Sequence, residues 1–169
     1  MNSMMQEAAV LREFYEQQPV ELFRASWHLN WWKRGGEPGP DWLSDNIDLV
    51  TIQGRTKGQY IRTRNAPMPP FQSQAEKFTG EIPPEIAVKL LQTLFIQRIF
   101  ERTFPSEQRI NLADAVSQTF DLTLENMHLV KTLYEPDIAD LGDVAYICDA
   151  VAEHLRVNGF RRDVSRVVD

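Results

Sequence analysis

One cysteine, Cys148, stands in 169 residues, which excludes an internal disulfide framework and every Cys-pair zinc or redox motif. Glycine is scarce as well, at eight, and none is arranged to open a helix towards a phosphate. The chain contains no G-x-G-x-x-G, no G-x-x-x-x-G-K-[ST], no H-E-x-x-H, no G-x-S-x-G and no EF-hand loop. Those absences remove the commonest phosphate-cradling, metalloprotease and nucleophile-elbow designs. No apolar run approaches the length of a membrane span. No Asn-x-Ser/Thr site occurs, and the opening MNSMMQEAAVLREFYEQQ carries acids where a secretion signal needs basic charge and an unbroken apolar stretch. Positive charge is in deficit: 18 Lys and Arg against 24 Asp and Glu give a net −6, which disfavours coating nucleic acid or an anionic membrane. The expectation is a soluble cytoplasmic protein.

What is present is an ordinary globular composition, 43% hydrophobic and 25% charged, at a length that suits one domain over 1–169. Residues 1–18 read as a helix, with Ser3 and Gln6 in the form of a capping box and Met4, Ala8, Leu11 and Phe14 at helical spacing. Residues 20–33 hold the cleanest strand: Phe23, Ala25, Trp27, Leu29 and Trp31 alternate with polar neighbours. A Gly/Pro loop follows at 35–40. Two β-prone runs, 46–53 and 59–64, flank a five-residue loop with glycine at each end and form a hairpin. The proline-rich, aperiodic stretch 65–84 is expected to cross over on the surface. Pro83 and Pro84 then open a helix over 84–101, whose apolar face carries Ala87, Leu90, Leu91, Leu94 and Ile99.

The segment 111–134 obeys two periods at once. Phe120, Leu122 and Leu124 alternate with polar residues, as a strand requires, while Val116, Phe120, Leu124 and Met127 fall at helical spacing and would suit a helix-turn-helix. Threonine at 119, 123 and 132, with Val130 and Tyr134, favours the hairpin. A helix over 137–157 follows, with Pro136, Asp137 and Asp140 at its start and Asn158-Gly159 at its end. Residues 159–169 read as a tail.

The fold class is therefore α+β: an antiparallel sheet built from two ββα units, 46–101 and 111–158, with both helices on one face. An N-terminal helix and an extra Trp-rich strand complete it. This element order resembles that of the small ββα-repeat metalloprotease inhibitors, the emfourin-like proteins. The likeness is one of element order and transfers no functional position.

Candidate chemistry is sparse. His28, His128 and His154 are remote in sequence and lack metal-ligand spacing, so no metal and no cofactor is expected. Six acids between Glu135 and Glu153 read as a helix N-terminal region and a solvated face rather than a catalytic pair. Cys148 sits on an apolar, acidic stripe and reads as a buried structural thiol.

The opposite charge gathers in the first hairpin. No acid occurs from Leu49 to Ala75, while Arg55, Lys57, Arg62 and Arg64 supply four positive charges, with Tyr60, Arg62 and Arg64 on one strand face. Four tryptophans cluster between 27 and 42. Trp27 and Trp31 belong to the apolar strand face, whereas Trp32, and after it Trp42, are candidates for an exposed anchor. The reading that follows is a non-enzymatic protein-binding module: an inhibitor, immunity, adaptor or assembly factor. Its partner, an acidic protein or a second copy, would meet Trp32, Arg55, Lys57, Tyr60, Arg62 and Arg64. The alternatives are a small enzyme using His28 or His128 with an aspartate, and a nucleic-acid binder using the basic hairpin. Nucleic acid is disfavoured because the remainder of the chain carries −10.

Overall fold

Strand Trp27–Arg34 (β1) buries every second residue, Trp27, Leu29 and Trp31, and turns the others outward. That alternation recruits a neighbour on each side. In the computed structural model, β1 pairs antiparallel with Trp42–Ile52 (β2) and with Ser117–Leu124 (β5). The described residues are 26–34, 42–65, 72–104, 116–125, 127–134, 137 and 141–167. Arg55–Asn65 (β3), Gln72–Ile82 (β4), Met127–Tyr134 (β6) and Phe160–Val167 (β7) complete a seven-stranded antiparallel sheet of order β6-β5-β1-β2-β3-β4-β7. Helices Pro84–Ile96 (α1) and Gly142–Asn158 (α2) pack against each other and against one side of it, here termed the inner face. The protein is α+β.

The register lays the core out in rows. One row runs Leu124, Trp27, Thr51, Thr56, Ile82, and the next runs Leu129, Leu122, Leu29, Leu49, Gly58, Gly80. The two glycines thin the sheet beneath the helices. A Cβ on Gly80 would stand 3.4 Å from the Gly159 Cα and 3.6 Å from the Leu155 side chain of α2. Buried polar groups on this face pair off: Trp31 Nε1 donates to Gln118 Oε1 at 3.0 Å, and the Thr51 and Thr56 hydroxyls bond at 2.6 Å. The Trp27 indole N–H finds no acceptor.

Several expectations are corrected. The stretch 65–84 is not a surface crossover throughout, because β4 occupies Gln72–Ile82 and pairs with β3 along ten residues. The stretch expected as a tail over 159–169 is a strand through its described part, because β7 takes 160–167 and lies beside β4 at the edge of the sheet. The first unit is thus three strands and a helix, and the second gains a strand after its helix, so two equivalent ββα repeats do not describe the sheet. The β2–β3 connection is a two-residue turn rather than a five-residue loop. Gln53 and Gly54 both take positive φ, 52° and 76°, the geometry that matches strand twist in a tight hairpin.

α1 stops at Ile96 rather than 101. Arg98 adopts φ 56°, its N–H reaches Phe95 O, and the Ile99 N–H reaches back to Leu94 O, which is a Schellman ending. The helix running to Asn158 starts at Gly142 rather than 137. Asp137 is itself helical, with Leu141 breaking the helix before α2; it is buried and accepts the Tyr134 backbone N–H at 3.0 Å. The segment 117–134 is a hairpin, so its helix-turn-helix reading falls. The N-terminal helix over 1–18 and the loop at 35–40 lie outside the described residues.

Candidate functional site

Alternation along β3 divides the six expected contact residues between two faces. Tyr60, Arg62 and Arg64 share the inner face, whereas Arg55 and Lys57 lie on the outer one. Trp32 is half-buried on the outer face, in the row Trp32, Asn46, Ile61, Lys77, Arg162. The six residues therefore do not form one patch.

Tyr60 is a core residue, only 7% exposed. Its ring stacks on Phe78 with centroids 5.8 Å apart, and its hydroxyl donates to Asp45 Oδ1 at 2.7 Å. Burial first, then the hydrogen bond and charge of Asp45, push the phenol well above its ordinary value, with Arg62 opposing. Arg62 Nε lies 3.9 Å from Asp45 and stands in register between Asp45 on β2 and Glu76 on β4. Arg55 is bonded to Glu81 of β4. The acid-free stretch is thus acid-free only along the chain; its neighbours in the sheet supply the carboxylates.

The outer face presents a different arrangement. Asp48, Val50, Lys57, Gly58, Gln59, Thr79, Gly80 and Glu81 line a groove of about 510 Å³ over β2, β3 and β4. Val50 is exposed on its wall, and Phe160, 75% exposed, stands opposite Thr79 at its side. On the same face each of two histidines meets an aspartate. His28 Nε2 lies 2.5 Å from Asp48 Oδ1, and His128 Nε2 lies 2.7 Å from Asp121 Oδ1. Asn30 also donates to Asp48, at 3.1 Å. Thr123 is the register partner of both histidines. Among the described residues no three His, Cys, Asp or Glu side chains gather as a metal site would require.

Phe160, Lys77 and Arg162 escaped the sequence reading because β4 and β7 did. A signal existed for β4: Phe78, Gly80 and Ile82 alternate with Lys77, Thr79 and Glu81. The glycine breaks the hydrophobic period without breaking the strand. Cys148 is buried, and burial, then the nearby Asp149, push its thiol far up, with Lys33 opposing. No described helix is long and apolar enough to cross a membrane. Comparison of the chain with protein-family models and with the curated proteins finds no match.

Proposed function

We propose that this chain is a non-enzymatic protein-binding module and that its partner docks on the outer face of the sheet. One observation carries the reading. Both helices cover the inner face, while the outer face carries a groove with Val50 and Phe160 exposed beside it. The wet face of an antiparallel sheet is ordinarily polar. Apolar and aromatic side chains on such a face, set among polar ones, have the composition of an interface core with its rim. Of the contact residues expected from sequence, Trp32, Arg55 and Lys57 lie on this face; Tyr60, Arg62 and Arg64 serve the inner one.

The test is capture from the native host with the immobilised full chain. A partner held by the wild type is expected to be lost with Val50→Glu and kept with Tyr146→Ala, which changes an exposed residue of α2. Loss with Tyr146→Ala and retention with Val50→Glu would move the interface to the helices. A second copy as partner would appear as a dimer in sedimentation, again sensitive to Val50→Glu.

The two His–Asp hydrogen bonds favour a second reading, a small enzyme with a His/Asp acid–base site. The groove reaches Asp48 but neither histidine. A hydrolytic or isomerising activity abolished by His28→Gln yet indifferent to Val50→Glu would establish that reading in place of the first.

A further inference from the structure

The charges on the outer face differ in what they are doing. Its carboxylates are engaged: Glu81 holds Arg55, Asp48 holds His28 and Asn30, and Asp121 holds His128. Four of its cations are not, and one of them, Arg34, lies apart at the far end of β1. Among the described residues Arg34, Lys57, Lys77 and Arg162 have no ion pair. Lys57 lies across from Glu81, whose carboxylate Arg55 has taken, and lines the groove. Lys77 and Arg162 face each other directly across β4 and β7. Like charges in direct register repel, and a bound anion relieves that repulsion.

Spacing turns this imbalance into a recognition geometry. Lys57 is level with residue 81 of β4, four residues from Lys77 on the same face, a separation of about 14 Å along the strand. Gln59 and Thr79 lie between the two ends and belong to the groove, with Phe160 beside them.

We infer that the groove takes an extended acidic segment of a protein partner, with two carboxylates four residues apart. One carboxylate meets Lys57 and the other meets Lys77 and Arg162. An apolar side chain midway lies over Gln59 and Thr79 and packs against Phe160. In an extended peptide residues i, i+2 and i+4 point to one side, so one strand presents acid, apolar, acid to this surface. Protein is chosen over nucleic acid because the cations around the groove are three and widely set, in a chain of net −6. This inference rests on the protein-binding reading and specifies its partner.

The probe is the heptapeptide Gly-Glu-Thr-Phe-Thr-Glu-Gly, titrated into the isotopically labelled full chain and followed by amide chemical shifts. Saturable shifts are expected at Lys57, Gln59, Lys77, Thr79 and Arg162. Lys77→Glu combined with Arg162→Glu should weaken binding about tenfold or more, and the inner-face variant Arg62→Gln should leave it unchanged. The version with glutamine in place of both glutamates should not bind. Equal shifts from that neutral version would overturn the acidic partner while leaving the face as a docking surface. Tighter binding of a thymidine decamer would overturn it in favour of nucleic acid. No saturable shift with the acidic peptide overturns the inference outright, and the capture experiment with Val50→Glu then decides separately whether the face binds protein at all. Amide spectra of each variant report whether it remains folded.

Discussion

Lys77 on β4 stands directly opposite Arg162 on β7, two cations side by side on the outer face of the sheet. Cross-strand neighbours of like charge destabilise an antiparallel pair, by about 0.2–1 kcal/mol in exposed positions. Arg162→Glu replaces that repulsion with attraction. It should raise the urea midpoint of the unliganded chain, by about 0.5 kcal/mol in free energy at unchanged slope. A lowered midpoint would show that Arg162 contributes to the fold rather than to the surface.

Tyr60 offers a pH-dependent test of the inner face. Its hydroxyl donates to the Asp45 carboxylate and its ring is buried on Phe78. Tyr60→Phe should cost about 1.5–3 kcal/mol, as expected for a hydrogen bond to a charged acceptor. The phenol is pushed up in the folded chain, so folding favours its protonated form. Below the unfolded value, about 10, this contribution is fully present. As pH rises past it the unfolded chain releases the proton first, and the stability is lost progressively. Urea midpoints at about pH 8.5 and about pH 11 should therefore fall further for the wild type than for Tyr60→Phe. Equal falls would mean that the phenol is open to water.

Cys148 should be inert in the native protein. It is buried on α2, and both burial and Asp149 oppose the thiolate. A thiol reagent at about pH 8 is expected to label it only at the rate of unfolding, and at once in denaturant. Rapid labelling without denaturant would contradict the packing of α2 against the sheet.

Gly58 tests the core beneath the groove. A Cβ there would lie 2.9 Å from Leu49 Cδ2 and 3.0 Å from Ile82 Cγ1. Gly58→Ala should destabilise by about 1–3 kcal/mol through overpacking, read by thermal or urea unfolding. A stabilising effect would mean that the inner face has room the geometry does not show.

The parts of this fold that were legible in the sequence carry one clean period each. β1 declares itself through Trp27, Leu29 and Trp31, the second hairpin through Phe120, Leu122 and Leu124, and α1 through Pro84 and its leucines. β4 was hidden by the prolines at 67, 69 and 70 and by Gly80, which faces the core without a side chain. β7 reads Phe-Arg-Arg-Asp and shows no alternation at all; it is a strand because it pairs with β4, so tertiary context decides. Charge misled for a related reason. The basic run 55–64 is met by Asp45, Glu76 and Glu81, which sheet register brings beside it from outside the run. The uncompensated cations Lys77 and Arg162 lie on the two strands the sequence concealed.

Site-specific photo-crosslinking can locate the docking face. A benzophenone amino acid placed at Phe160, on the outer face, should trap the native partner in high yield. The same group at Tyr146, equally exposed on α2, should not. Crosslinking from position 146 with none from position 160 would contradict an outer-face interface and place the partner on the helices.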